Sequence, residues 1–291
     1  MGLCDDVRRE CAAIAESARF VEIDVAALGA VEPGPPPALD PECHYLEGSP
    51  EDVAAYLLAL ETINFGSGWF PTLVKRPGCS GYVTVAWALA DRWRSLGPWS
   101  DEELRALDAG AVAAVLEQDA GHELMALYAA ALQALGRFLG GRPPLAVIES
   151  ARGSAERLAE LLAGGMPFFD DPPFFKRAQI TPSDLALAGV AEFDDLDRLT
   201  IFADNVVPHV LRVDGVLRYR PELAARIDAG ELLEAGSAEE VEIRACAVHA
   251  GELLAARLGV APRTLDGWLW NRGQAPRYKA IPRHRARSVY Y

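Results

Sequence analysis

Apolar residues at Leu124, Leu127, Tyr128, Leu132, Leu135, Phe138 and Leu139 recur at steps of three and four, the stripe of a helix with one face in a core. Residues 155–162 and 241–258 carry the same spacing. Three helix starts are written beside such stripes. Ser49-Pro50-Glu51-Asp52 precedes VAAYLLAL, Ser100 to Glu103 forms a capping box before LRAL, and Thr181-Pro182-Ser183-Asp184 precedes LALAG. Each offers side-chain oxygens to first-turn amides that have no partner inside a helix. Strand signals are few: residues 81–85 alternate, and VLRVDGVLRYR at 210–220 reads as a hairpin turning at Asp214-Gly215. The expected fold is mostly α with a minor β-hairpin. Proline-rich 31–41 and the Gly/Pro/Asp-rich 164–173 do not separate segments of contrasting composition, and no fixed-period repeat is present. A single domain over 1–291, with two helical lobes around a cleft, is the economical expectation.

Composition fits a folded globule, with 51% apolar and 24% charged residues in 291, enough chain for a substantial core. The 28 basic and 42 acidic residues give a net charge of −14, which disfavours a binder of long duplexes. The charge is uneven. The last twenty residues hold Arg272, Arg277, Lys279, Arg283, Arg285 and Arg287 with no acid, against −20 elsewhere. A solvated face or flexible tail is the plain alternative to a working role for that cluster. Five cysteines without a CxxC pair fit a reducing compartment better than a disulfide framework or zinc cage. The opening MGLCDDVRRE has neither the basic nor the apolar region of a signal peptide, and the longest apolar stretch, 126–135, is too short to span a bilayer. A soluble, cytoplasmic protein is expected, with no membrane partner.

The chain lacks a glycine-rich phosphate loop and GxSxG, and His122-Glu123 has no second histidine to complete a helical zinc site. Neither a metal nor a cofactor is expected. Three stretches stand out: ETINFGSGWFP at 61–71, FFKRAQI at 174–180 and LTIFADNVVPHVL at 199–211. In the last, Asp204 is a lone carboxylate in an apolar run, which makes it a functional candidate. A helix cap is the plain alternative. Phe65, Trp69, Phe202, Trp268 and Trp270 could stack on a base, or simply fill the core.

HYL at 44–46, NFGSGWF at 64–70, FFKRAQI, LTIFADNVVP, EIRACAVHA at 242–250, LDGWLW at 265–270 and the terminal PRHRARSVYY run in order along the chain. Together they resemble the queuosine 5′-phosphate N-glycosylase/hydrolase family, the queuosine salvage proteins. The resemblance implies a helical domain similar to helix-hairpin-helix DNA glycosylases. It also implies hydrolysis of queuosine 5′-monophosphate to queuine and ribose 5-phosphate. Many members carry Tyr-Arg after the family aspartate, where this chain has Asn205-Val206, so no role passes to those two side chains while Asp204 stands.

Under that resemblance the residues take definite parts. N-glycosidic hydrolysis passes through an oxocarbenium-like sugar, which Asp204 would stabilise, attack, or supply with oriented water. Queuine is a 7-deazaguanine, so the ring nitrogen that purine hydrolases protonate is a carbon. Help must come from the remaining base edge or the sugar side. A buried carboxylate accepts from both donors of a guanine-like edge, the part given to Asp266, with a helix N-cap after Thr264 as its alternative. His44, Phe202, Ala203, Asp204, Trp268 and Trp270 complete the expected base site. Lys176, Arg177, Arg283 and Arg285 are expected to hold the 5′-phosphate, with Tyr290 and Tyr291 anchoring the tail. The expected partner is a small nucleotide and not intact nucleic acid; oligomeric state is left open. A DNA-repair glycosylase and a non-catalytic helical scaffold remain as readings from other classes.

Overall fold

The computed structural model describes residues 2–291. Among them fourteen α-helices and one two-stranded sheet surround a contiguous apolar core that runs from Leu3 to Tyr278. Helix α1 (Leu3–Glu16) lays Leu3, Cys4, Val7 and Cys11 into that core and leads to strand β1 (Val21–Ile23). Helix α2 (Pro50–Thr62) starts where Ser49 accepts the Asp52 amide. Helix α3 (Gly81–Leu96) follows, capped by Ser80 on the Val83 amide. The 81–85 segment read as a strand is therefore the first turn of a helix. Its apparent alternation lies on a helix whose buried positions include Gly81, Thr84, Val85 and Ala88, a three-to-four spacing.

Helix α4 (Asp101–Ala106) has the reciprocal Ser100–Glu103 capping box. Helices α5 (Ala109–Leu116), α6 (Glu123–Leu139), α7 (Pro144–Glu149) and α8 (Ala155–Gly165) complete the first part of the chain. In α6 the stripe ends with Gly140 in the left-handed region, φ 56°. Helix α9 (Lys176–Leu187) packs against α8 and α2. It begins at Lys176, not after Thr181, so the proline of the supposed start signal lies inside the helix. Pro182 cannot donate to the Ala178 carbonyl four residues back, and the neighbouring Thr181 hydroxyl donates to the Arg177 carbonyl at 2.7 Å.

Helix α10 (Val207–Val213) and strand β2 (Leu217–Tyr219) replace the expected hairpin. Gly215, φ 79°, stops α10, and the Val216 amide reaches back to the Leu211 carbonyl at 2.8 Å. The Asp-Gly pair is thus a helix stop. β2 pairs antiparallel with β1, Val21 opposite Tyr219 and Ile23 opposite Leu217, so its partner lies near the other end of the chain. Helices α11 (Pro221–Asp228), α12 (Ala238–Leu258), α13 (Pro262–Arg272) and α14 (Pro276–Lys279) follow. α12 packs on α1, α10 and α13, and α13 also packs on α10. No helix among the described residues is long and apolar enough to cross a membrane.

The terminal segment is built in. Gly66 donates to the Tyr291 carbonyl at 3.0 Å, and Leu233 donates to Arg285 O at 2.9 Å. A Cβ on Gly68 would stand 2.4 Å from Ala286 O, so only glycine lets the tail approach so closely. Tyr291 is buried under the Arg244 guanidinium, while Tyr290 is half-buried.

Candidate functional site

Where α9, the segment before α10, α13 and the terminal segment meet, the fold leaves a cavity of about 420 Å³. That is within the range of small-molecule sites. One face of α9 forms a wall, because Lys176, Ile180, Ser183, Asp184 and Leu187 follow the helical repeat. Phe175 precedes them in the left-handed region, φ 48°, which bulky residues rarely adopt, and sets the direction in which α9 starts. Phe202 and Asp204 come from the segment before α10, Asp266 and Trp270 from α13, and Arg283 and Arg285 from the tail.

Asp204 both holds the turn that leads into α10 and lines the cavity. Its Oδ1 accepts the Val206 and Val207 amides at 2.7 and 3.0 Å, which fixes the carboxylate at the start of α10. Its Oδ2 accepts no hydrogen bond among the described residues, which leaves it for a ligand. Asp266 is buried, and its Oδ1 accepts the Phe202 amide at 2.8 Å. Burial, and then the charge of Asp204, push the Asp266 carboxyl well above the usual carboxylate range; the Phe202 amide and Lys176 oppose this. α13 starts at Pro262, so Asp266 is an interior residue and not the cap.

His44 lies in the wall with its ring fixed. Nδ1 donates to the Asp40 carbonyl at 2.9 Å, so in the neutral ring Nε2 accepts from the Tyr82 hydroxyl at 3.0 Å. Burial holds its pKa below the ordinary value. Tyr82 in turn packs edge-on to Trp270 at 6.0 Å.

Three expected site residues lie elsewhere. Trp268 is two residues from Asp266, hence on the opposite side of α13 from the Asp266–Trp270 pair, and packs beneath Gly34 of the proline-rich connector. Ala203 turns its carbonyl to Arg244 Nε at 3.0 Å. Arg177 is 1% exposed and is held by the Thr62, Phe168 and Val289 carbonyls between the rings of Phe65 and Phe169. A helical step of one residue separates it from Lys176, and that step sends Lys176 to the cavity and Arg177 into the core.

Lys176 Nζ donates to the Asn64 carbonyl at 3.4 Å, and burial lowers its pKa against the pull of Glu61 and Asp204. Arg283 and Arg285 make no side-chain hydrogen bond among the described residues, although burial lowers the pKa of both. Such donors are free to bind an anion. Lys75, Lys279, Tyr82 and Asp184 also line the cavity, and no local motif in the sequence announces them. Asp184 had one available signal, its position eight residues after Lys176 on the same helical face. Among the described residues no group of three or more His, Cys, Asp or Glu converges to hold a metal ion.

A mostly helical fold that sets a half-liganded aspartate, a buried second aspartate and two unpaired arginines around a cavity of small-molecule size has the chemistry to receive a small anion and to move a proton. Residues 43–291 match the family model described as queuosine salvage protein. The queuosine 5′-phosphate N-glycosylase/hydrolase of Sphaerobacter thermophilus is 32% identical over 322 residues, covering 100% of this chain and 98% of that protein. The proteins of the same name from Mus musculus, 32% identical over 170 residues, and Dictyostelium discoideum, 38% over 127, align with 50% and 40% of the chain and equal shares of their own lengths. The chain belongs to the queuosine salvage protein family.

Proposed function

We propose that the chain hydrolyses the N-glycosidic bond of queuosine 5′-monophosphate, releasing queuine and ribose 5-phosphate for salvage into tRNA modification. Its relatives are named for that activity, and the end-to-end match to the Sphaerobacter thermophilus protein supports carrying it over. The observation that carries the chemistry is Asp204. Its Oδ1 is pinned by two amides while Oδ2 is left in a cavity where a sugar would gain positive charge. A carboxylate so fixed needs no reorganisation to stabilise an oxocarbenium-like state.

Asp266 reads the guanine-like edge in this account, with Phe202, His44 and Trp270 around the base. Arg283 and Arg285, whose donors are unengaged, hold the 5′-phosphate, and Lys176 lines the same cavity within electrostatic reach of Asp204 and Asp184. Ala203, Trp268 and Arg177 serve by shaping the core behind these groups. The chain 1–291 acts as one domain, a reading supported by its contiguous core. Two lobes around the cleft and a likeness to helix-hairpin-helix glycosylases belong to the same proposal. The packing of α12 on α13, joined through left-handed Gly259, supports that likeness. A cytoplasmic site of action accords with five free cysteines, and the partner is the nucleotide rather than a nucleic acid or membrane.

Incubation with queuosine 5′-monophosphate, followed by chromatography, should yield free queuine and ribose 5-phosphate in equal amounts. Intact nucleotide after long incubation with folded protein would refute the assignment.

A further inference from the structure

Resting on the proposed hydrolysis, we infer that Asp184 is the acid of the reaction, holding with Glu61 a proton that it passes to the departing base. Asp184 lines the cavity on the same face of α9 as Lys176. Behind it, Glu61 of α2 is fully buried. Glu61 Oε2 accepts from the Asn64 amide at 2.9 Å, while Oε1 meets no N–H or alcohol donor among the described residues. A buried carboxylate oxygen without a donor is costly, and the neighbouring Asp184 carboxyl supplies the missing proton.

Burial, the charge of Glu61 and the hydrogen bond to it all raise the Asp184 pKa well above the ordinary carboxylate value. Next to the Glu61 carboxylate in a dry site, the Asp184 carboxyl holds its proton near neutrality. Lys176, whose charge acts on Asp184, offsets the second negative charge when that proton leaves. The leaving group explains the need for such an acid. With carbon at position 7, the base cannot be activated as other purines are, and it must acquire a proton elsewhere.

The step balances. The C1′–N bond breaks with its electron pair passing to the base, which takes the Asp184 proton. Water adds to C1′, its proton passes to the Asp204 carboxylate, and solvent exchange returns both carboxyls to their starting states. Glu61 touches no substrate in this scheme and is a positioning residue.

The test compares queuosine 5′-monophosphate with the 5-phosphate of p-nitrophenyl β-D-ribofuranoside, whose leaving group departs without an acid. Asp184→Asn should lower kcat on the nucleotide by about a hundredfold or more with little change in KM, and lose far less on the nitrophenyl substrate. Asp204→Asn should lose on both. The groups facing Asp184 are Glu61 from α2, Tyr82 from α3, Lys176 from its own helix and Asp266 from α13. Glu61→Gln removes the charge that raises the Asp184 pKa, so the fall of kcat with rising pH should move to lower pH. That profile decides if Asp184→Asn does not fold or if the wild type does not cleave the nitrophenyl substrate. Equal losses of Asp184→Asn on both substrates, wild-type turnover of the nucleotide, or an unmoved profile in Glu61→Gln would each overturn the inference. A wild type inert on queuosine 5′-monophosphate would instead refute the function on which it rests.

Discussion

The side chain of Asp266 accepts the main-chain N–H of Phe202 at 2.8 Å, which ties α13 to the segment that presents Asp204 two residues later. The bond places two aspartates near enough for one to raise the pKa of the other. The carboxyl proposed to read the base and the carboxylate proposed to serve the sugar are therefore set by one local geometry.

Asp204→Asn should preserve that geometry, since the amide oxygen can still accept the Val206 and Val207 N–H groups. Loss of charge beside an oxocarbenium-like state should cost on the order of a hundredfold or more in kcat. The expected outcome is unchanged thermal unfolding with crippled release of queuine. Near-normal turnover by the folded variant would remove Asp204 from the chemistry.

Queuine should bind with release of a proton. Burial and Asp204 favour the protonated form of Asp266 in the empty cavity, whereas two N–H donors on the base edge favour its carboxylate. Titration calorimetry near neutral pH, repeated in buffers of different ionisation enthalpy, measures that release. Asp266→Asn should abolish it and weaken binding by about ten- to a hundredfold, or roughly 1.5–3 kcal/mol. Adenosine monophosphate, which offers no such pair of donors, should be a poor substrate for the wild type. Buffer-independent heats would count against this reading of Asp266.

Three arginines should separate by phenotype. Arg283→Ala and Arg285→Ala should each reduce kcat/KM on queuosine 5′-monophosphate by about ten- to a hundredfold and leave the unphosphorylated nucleoside nearly untouched. Arg177→Ala strips donors from several buried carbonyls and a cation from between two rings. Its effect should be a loss of about 3 kcal/mol or more in folding stability, shared by both substrates. A phosphate-specific defect in Arg177→Ala would reverse the assignment.

His284 should make the fold sensitive to acid. Its ring is buried with neither nitrogen hydrogen-bonded, and burial depresses its pKa from 6.5 to about 3. The folded chain keeps it neutral while the unfolded chain takes a proton below 6.5, so this contribution to stability falls as pH drops from 6.5 toward 3. Between pH 7 and 5 the loss should be about 2 kcal/mol from this group alone. Comparing unfolding of the wild type and His284→Gln across that range checks it; parallel curves would show that the ring is not responsible.

Local physics explains which features the sequence disclosed. Ser49, Ser80 and Ser100 act within three residues of themselves, and the first and last of these starts could be read from the serines and the carboxylates after them. Asp204 was legible because a charge inside an apolar run demands a reason: it braces the turn into α10, whose cap position is Val206, and lines the cavity. The 210–220 segment misled because a helix stop and a hairpin turn use the same Asp-Gly chemistry. What distinguished them, pairing of β2 with Val21–Ile23, lies almost two hundred residues away. The Thr181-Pro182 signal failed because proline is tolerated inside α9, and Phe175 fixes the true start. Glu61 and Asp184 were invisible as a pair, since neither α2 nor α9 alone reveals that they pack together.

The threading of the terminal segment across the cavity has a consequence for how the chain matures. The cavity wall draws on residues from Pro37 to Tyr291, and the last strap is the bond from Gly66 to Tyr291. Closing contacts between such distant positions is entropically slow, so they should form late. The early helices can assemble first, yet Arg283 and Arg285 join the wall only when the segment that carries them closes onto it. Catalytic competence would then be among the last properties the chain gains as it folds, and nucleotide capture by partly folded chains would be avoided.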